Sequence, residues 1–83
     1  MPYFVYLLEC RDGTYYCGYT KDVHARLLAH NSGRGAKYTK MRRPLRLAYS
    51  ERLRTQRAAM RRELEIKSFT RVRKEQLVAS YAM

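Results

Sequence analysis

Three stretches of the chain hold side chains with acid–base or electrostatic chemistry. Tyrosines crowd the first twenty residues, Arg26 and His30 lie one helical turn apart, and Glu63 stands between apolar neighbours. A carboxylate can hold a divalent cation, an arginine can neutralise phosphate oxygens, and a tyrosine or histidine can orient water or accept its proton. These groups together suit hydrolysis of a phosphodiester bond, and the single inward carboxylate predicts a single bound cation.

The tyrosines lie in two aromatic and β-branched runs that predict a β-hairpin. The first strand covers about Tyr3 to Cys10 and the second about Tyr15 to Thr20, with an Asp-Gly turn signal between them. Facing residues of a hairpin share one side of the sheet, so an odd loop length is needed to bring Tyr6 and Tyr16 to the same side. We therefore predict a three-residue loop, Arg11-Asp12-Gly13, whose glycine is left-handed, and both tyrosines facing the arginine and the glutamate.

The rest of the chain predicts helices around a third strand. We expect a first helix from Asp22 to Asn31, capped by Thr20 or Asp22, and then a basic loop from Ser32 to Pro44. A strand should follow from Leu45 to Ser50. The chain should end with a second helix from Thr55 to about Phe69 and a third from Arg71 to about Ser80, which Thr70 caps. In the strand, Leu45, Leu47 and Tyr49 alternate, which predicts that they share one face. The expected fold is α+β, a three-stranded antiparallel sheet flanked by helices in the order ββαβαα, forming a single domain over residues 1–83.

The first helix places a basic pair beside its apolar side. At about 100° per residue, Val23 and Leu27 define an apolar line, and Arg26 and His30 fall next to it on the same side. The pair could point along the edge of the sheet toward a substrate. Alternatively, Arg26 extends to solvent and His30 is a hydrogen-bonded histidine at the core boundary.

The second helix places one carboxylate within an apolar face. Ala59, Glu63 and Ile66 lie on one side of this helix. An ionised carboxylate there costs free energy unless it has a cation or a metal as partner. Glu63 is therefore either a functional carboxylate or one half of a structural ion pair, with Arg62 or Lys67 as the partner.

The net charge points to a polyanionic partner. The chain has 18 Lys and Arg against 7 Asp and Glu, a formal charge of +11. Nucleic acid is the leading partner class, because phosphate neutralisation releases counterions from the nucleic acid. A basic surface without chemistry and a protein–protein adaptor are the alternatives, and a weak salt dependence of nucleic-acid affinity would favour the adaptor.

The cysteines and the hydropathy argue against a structural metal or a membrane. Cys10 and Cys17 form no Cys-x-x-Cys motif or Cys/His cluster, so we expect packing roles and no zinc site. There is no secretory signal and no apolar run long enough to cross a bilayer. We expect a cytoplasmic protein with reduced thiols and no membrane partner.

With these residues and this order of elements, the chain resembles the GIY-YIG nuclease family, and in particular its small stand-alone members. The resemblance rests on an ordered set of motifs: Phe4-Val5-Tyr6, Tyr16-Cys17-Gly18, Arg26 with His30 and Asn31, Gly33 to Thr39, Arg43-Pro44, and Ala59-x-x-Arg62-Glu63-x-x-Ile66-Lys67. It covers about residues 3–78. Phe4, Val5 and Cys17 replace a glycine and two isoleucines of the family pattern, but both tyrosines and Gly18 are in place.

The resemblance implies roles for five catalytic residues. Tyr6 and Tyr16 would face the active site, Arg26 would act on the scissile phosphate, and Glu63 would hold one divalent cation, Mg²⁺ or Mn²⁺. His30 matches a position that assists in some members. The substrate would be DNA or another nucleic acid.

The nucleic acid would be held by basic residues and one tyrosine around this site. We predict contacts to the backbone from Arg34, Lys37, Tyr38, Lys40, Arg42, Arg43 and Lys67. Other family members take their sequence specificity from an attached DNA-binding domain, and none is expected here, so the predicted activity is structure-selective. The alternative is a non-catalytic nucleic-acid-binding module on the same fold.

Overall fold

A computed structural model describes residues 2–81, which form a three-stranded antiparallel sheet and four helices. The elements are β1 (Tyr3–Glu9), β2 (Tyr15–Thr20), α1 (Val23–Asn31), α2 (Lys37–Lys40), β3 (Arg46–Leu53), α3 (Gln56–Lys67) and α4 (Arg71–Tyr81). The strand order is β2-β1-β3, so β2 is an edge strand. The α+β fold in the order ββαβαα is confirmed, and α2 is one extra turn of helix within the predicted basic loop. No helix within residues 2–81 has the length and apolar character to span a bilayer.

The hairpin has the predicted register. The Cys10 amide donates to the Thr14 carbonyl at 2.8 Å, which leaves a three-residue loop, and Gly13 has a φ of +85°. In the strands, Tyr6 faces Gly18, and the next pair on the same side joins Leu8 to Tyr16. Tyr6 and Tyr16 therefore share one face of the sheet, as predicted.

A β-bulge in β3 overturns one expectation. Leu7 of β1 faces Tyr49, whereas the next residue, Leu8, faces Leu47, so Ala48 is an extra residue in β3. An extra residue reverses the side on which the following side chains point. Leu45 and Leu47 therefore pack on one face, but Tyr49 packs on the other, contrary to the predicted single face.

The sheet separates two small cores. On one face, α3 and α4 cover a core of Val5, Leu7, Cys17, Ala59 and Ile66. On the other face, α1 covers a core of Tyr6, Leu8, Cys10 and Leu45, with Tyr16 and Leu27 packed against it. Full burial of a large apolar side chain contributes about 1.5–3 kcal/mol, so both cores stabilise the central strand β1.

Capping side chains begin the two helices that carry the candidate site residues. Asp22, rather than Thr20, caps α1, and its carboxylate accepts from the Ala25 amide at 3.0 Å. Thr55 caps α3, and its hydroxyl accepts from the Ala58 amide at 3.1 Å. Each such cap contributes about 1 kcal/mol and determines where the helix starts relative to the sheet.

Candidate active site

Four of the five predicted catalytic residues line one surface cavity of about 490 Å³. Its lining residues are Tyr3, Tyr6, Tyr16, Gly18, Tyr19, Thr20, Lys21, Arg26, Gln56 and Glu63. The hairpin, α1 and α3 each contribute to it, although they are far apart in sequence. His30 is not among the lining residues.

The cavity lies at the exposed edge of β2 and joins the two sides of the sheet. Tyr6 and Tyr16 belong to the face covered by α1, whereas Tyr19 packs on the face covered by α3. The hairpin tyrosines thus face the helix of Arg26 as predicted. Glu63 comes from α3, the helix on the opposite face, and it meets the two tyrosines at the β2 edge, where all three line the cavity.

The ring of Tyr6 reaches this edge by passing over Gly18. A Cβ atom at Gly18 would lie 2.5 Å from Tyr6 Oη and 2.8 Å from its Cζ. Both contacts are far inside van der Waals distance, so no larger residue fits beside the ring in this position. The glycine of the second motif is therefore needed so that the tyrosine of the first motif can lie across β2.

A directed chain of hydrogen bonds connects Tyr6 with the interior of the protein. The Thr39 hydroxyl donates its only proton to the Ala36 carbonyl at 2.9 Å, and its oxygen lies 2.8 Å from His30 Nδ1. In the tautomer that satisfies both of these contacts, His30 Nδ1 donates to Thr39, and Nε2 of the neutral imidazole is an acceptor. The Tyr6 hydroxyl, 3.3 Å from Nε2, therefore donates to His30.

Burial holds both members of this pair in their neutral forms. The Tyr6 side chain is 2% exposed, and burial raises its pKa well above the usual value, with Tyr16 adding to the rise. Burial also lowers the pKa of His30, and the positive charge of Arg26 lowers it further. At neutral pH Tyr6 is a phenol and His30 an uncharged base.

His30 is more buried than either reading of the helix pattern predicted. It is 1% exposed and is the most deeply buried residue of α1, rather than a boundary residue. Gly35 makes this possible, because a Cβ atom there would lie 2.1 Å from His30 Nδ1. Thr39, fully buried beside it, was not predicted as a site residue, since a polar residue in a basic loop gives no sign that it folds inward.

Glu63 forms an ion pair with Lys67. Its side chain is 17% exposed, and one carboxylate oxygen lies 3.7 Å from Lys67 Nζ. The other predicted partner, Arg62, instead binds Glu51 at 3.1 Å and also contacts Glu65. The ion pair of Glu63 is therefore long and half open to solvent, and such pairs contribute little to stability.

The residues around Glu63 fit a divalent cation that keeps most of its water ligands. Within residues 2–81, no cluster of three or more His, Cys, Asp or Glu side chains could enclose a metal. Mg²⁺ is commonly held by one or two carboxylates, and waters and phosphate oxygens complete its octahedron. One carboxylate at the wall of an open cavity matches that pattern and does not match a closed zinc or calcium site.

The predicted nucleic-acid-binding residues lie outside this cavity and differ in what they contact. Arg42 binds Asp12, Arg43 donates to the Lys40 carbonyl, and Arg34 donates to Ser32, so these arginines also hold the loop together. Four of the predicted residues are exposed lysine or tyrosine side chains: Lys37, Tyr38, Lys40 and Lys67. The loop therefore presents lysines to solvent on a frame that arginines stabilise.

Some cavity residues could not be recognised from the sequence. Lys21 and Gln56 line the cavity, and Lys21 Nζ lies 5.5 Å from the centroid of the Tyr3 ring. Lys21 follows the predicted end of β2 and Gln56 follows the predicted start of α3. Only the packing of α3 against the hairpin brings these two element ends together, and no local pattern encodes it.

The fold is that expected of a GIY-YIG domain. The sequence model of the GIY-YIG catalytic domain matches residues 2–76. The chain belongs to the GIY-YIG family. The family is one of nucleases that act on nucleic acids and generally depend on divalent metals.

The chain is also similar to small proteins of about its own length. A UPF0213 protein of Staphylococcus aureus is 53% identical over 76 residues, which cover 92% of this chain and 93% of the relative. The solution NMR structure of a UPF0213 protein from Bacillus halodurans has a TM-score of 0.61 at 49% identity, over 95% of this chain and 84% of that one. A solution NMR structure of a protein from E. faecalis has a TM-score of 0.66 at 39% identity, over 99% of this chain and 88% of that one.

Proposed function

We propose that this protein is a metal-dependent endonuclease that hydrolyses phosphodiester bonds in DNA or another nucleic acid, with residues 1–83 acting as a single nuclease domain. The observation that carries the proposal is the cavity at the edge of β2. It collects Tyr6, Tyr16, Arg26 and Glu63 from four separate elements, and this set of side chains suits phosphodiester hydrolysis.

Charge in the cavity favours a phosphate. Arg26 and Lys21 line the cavity with one carboxylate, Glu63, and neither cation takes part in an ion pair among the described residues. Arg26 binds the scissile phosphate and neutralises the charge that develops on its oxygens. Glu63 would hold Mg²⁺ or Mn²⁺, which when bound stabilises charge on the phosphate and on the leaving oxygen.

Tyr6 and His30 move the proton of the attacking water. Because Tyr6 is not ionised at neutral pH, it accepts a proton from water only as its own proton passes to His30. The water forms the new bond to phosphorus while the P–O bond to the leaving nucleoside breaks, and the leaving oxygen keeps that electron pair and takes a proton from solvent. In the same step the water proton goes to Tyr6 Oη, and the Tyr6 proton goes to His30 Nε2. Tyr16 lines the cavity beside Tyr6 and orients the water or the phosphate.

The nucleic acid is held by its backbone rather than by its sequence. Lys37 and Lys40 present exposed charges on α2, and the arginines of the same loop add positive potential. Contacts to phosphates carry no sequence information, so selection depends on the structure of the nucleic acid.

Cleavage by a Glu63→Gln variant tests the proposal. Wild-type protein should cleave nicked, branched or single-stranded oligonucleotides with Mg²⁺ or Mn²⁺ and not with a chelator. Glu63→Gln should reduce the rate by about 10²–10³-fold, because it removes the carboxylate charge and keeps the shape of the side chain. Glu65→Gln is the matched control, since Glu65 lies on the same helix but is 57% exposed and is not part of the cavity lining.

Two results would contradict the proposal. One is cleavage at the wild-type rate by Glu63→Gln, which would move the reaction away from this cavity. The other is tight binding with no cleavage of any substrate, which would favour a non-catalytic nucleic-acid-binding module.

A further inference from the structure

A second cavity adjoins the first and has a different lining. Its volume is about 270 Å³, and its lining residues are Tyr15, Tyr16, Cys17, Tyr38, Lys67 and Lys74. Three aromatic rings and two ammonium groups thus surround one small surface depression. The first cavity has a carboxylate in its lining, whereas the second has none.

Two residues connect the second cavity with the first. Tyr16 lines both. Lys67 lines the second cavity and lies 3.7 Å from Glu63, which lines the first. The two cavities are therefore neighbours on the surface of the protein.

The exposed aromatic ring of the second cavity is held in a defined position. Tyr38 is 40% exposed, yet the Arg42 guanidinium lies 3.9 Å from its ring centroid. Arg42 is itself fixed by Asp12 at 3.1 Å and by the Tyr38 carbonyl at 2.9 Å. The ring of Tyr38 is nearly parallel to that of Tyr16, with the centroids 6.1 Å apart and an interplanar angle of 26°. A ring that is ordered before binding loses little entropy when a ligand contacts its exposed part.

We propose that the second cavity is a subsite for the unpaired nucleobase next to the scissile phosphate, an inference that rests on the proposed nuclease function. The aromatic rings of Tyr15 and Tyr38 contact the base, and Lys67 and Lys74 contact the neighbouring backbone phosphates. Aromatic side chains with basic residues are the usual means of binding single-stranded nucleic acid without sequence preference.

This subsite selects a single-stranded or frayed substrate. In a duplex both faces of a base are covered by its neighbours, so the base must leave the stack before it can contact a protein ring. Single-stranded segments, flaps and frayed ends present such bases, whereas a continuous duplex does not. Duplex with the same number of phosphates should bind more weakly than single strand.

The test measures binding in the presence of a chelator, so that no cleavage takes place. Wild-type protein is titrated with a short oligothymidylate, with a strand of equal length in which the bases are replaced by abasic sites, and with duplex. We expect the oligothymidylate to bind about tenfold or more tightly than the abasic strand, because each stacked base adds to the affinity. Equal affinity for the two strands overturns the proposal without any variant.

Variants of the cavity residues test whether the preference for strands with bases arises in this cavity. Tyr38→Leu and Tyr15→Leu should each reduce the preference for bases over abasic sites while leaving the salt dependence unchanged, since neither alters the charge. Tyr81→Leu is the matched control, because Tyr81 is 48% exposed and lies against Tyr49, outside this cavity. A preference that survives in both Tyr38→Leu and Tyr15→Leu overturns the subsite.

The binding and cleavage results separate the two proposals. A base preference lost in Tyr38→Leu, in a protein that cleaves nothing, supports the subsite and rejects the nuclease. Cleavage that depends on Glu63 without a base preference supports the nuclease and rejects the subsite.

Discussion

At the scale of single residues, burial determines the protonation of the proposed relay. Tyr6 and His30 are almost fully buried, and each is held in its uncharged form by the loss of solvent. The proton of Thr39, directed to the Ala36 carbonyl, then sets which nitrogen of His30 can accept from Tyr6. The buried imidazole of His30 is neutral in the folded protein, and its protonation is less favourable there than in the unfolded chain. The free energy of unfolding therefore depends on pH.

The protein should lose stability as the pH falls through the range in which histidine titrates. The pKa of His30 is lowered in the folded state, so the unfolded chain binds more protons below about pH 6.5, and stability declines as pH falls toward the folded pKa. The measurement is the urea midpoint at about pH 7.5 and about pH 5.5.

Histidine variants test whether His30 is the residue that causes this pH dependence of stability. In His30→Gln the difference between the two midpoints should shrink, whereas His24→Gln, an exposed histidine on the same helix, should keep the wild-type difference. If His30→Gln keeps the wild-type difference in urea midpoint between the two pH values, protonation of His30 does not cause the loss of stability.

The residue types of the site could be predicted from the sequence, but their environments could not. The isolated carboxylate in the apolar face of α3 is visible as a pattern, and Glu63 is indeed shielded. The burial of His30 depends on Gly35 and Thr39, which come from a loop that folds back over α1. Helix and strand periodicity does not encode how a loop folds back on the helix before it, so the hydrogen-bond chain could not be foreseen.

At the scale of elements, the hairpin and α3 define the position of the site. The three-residue loop sets the register, the register places Tyr6 opposite Gly18, and the missing side chain at Gly18 lets the tyrosine ring reach the sheet edge. The loop length and the shared face of the two tyrosines have signals in the sequence, namely the Asp-Gly turn and the two tyrosine motifs, and both predictions are confirmed. The close approach of the Tyr6 ring to Gly18 is seen only in the structure.

Adding a methyl group at Gly18 should destabilise the protein through its contact with Tyr6. Gly18→Ala is expected to lower the free energy of unfolding by about 1–3 kcal/mol, the usual cost of overpacking a core. In the Tyr6→Leu background the same change should cost less, because the clashing Oη and Cζ atoms are absent. Urea unfolding of the four proteins measures this, and equal costs in the two backgrounds would refute the steric explanation.

Two features of the elements had no signal in the sequence. The bulge at Ala48 interrupts an alternation that looked regular through Tyr49. The packing of α3 on the face opposite α1 makes the site span the edge of β2, whereas the sequence suggested one shared face. Both depend on how the layers pack, because the periodicity of a strand or helix identifies a buried side without specifying which layer covers it.

At the scale of the whole molecule, the charge of +11 governs the approach to a polyanion. Several cations are used within the protein, for example Arg46 with Glu9 and Arg71 with Glu75. Lys37 and Lys40 take part in no ion pair among the described residues and remain exposed to a backbone.

Affinity for nucleic acid should fall steeply with salt, and exposed lysines should determine the slope. A protein with six or more phosphate contacts loses on the order of 10³-fold in affinity between about 50 and 200 mM salt. Lys40→Gln should reduce the slope of log affinity against log salt by about one. Arg46→Gln removes the same charge from a residue already paired with Glu9 and should leave the slope unchanged. Equal slopes for Lys40→Gln and the wild type would exclude Lys40 from the phosphate contacts.

The most direct test of the account is a double-mutant cycle of cleavage rates between the two helices that meet at the β2 edge. Arg26→Gln and Glu63→Gln are measured singly and together under single-turnover conditions with Mn²⁺. If the two residues serve one active site, each single change should reduce the rate by about 10²-fold or more, and the double variant should be little slower than the slower single variant. A wild-type rate in either single variant, or losses that simply multiply in the double variant, would contradict a single site shared across the sheet edge.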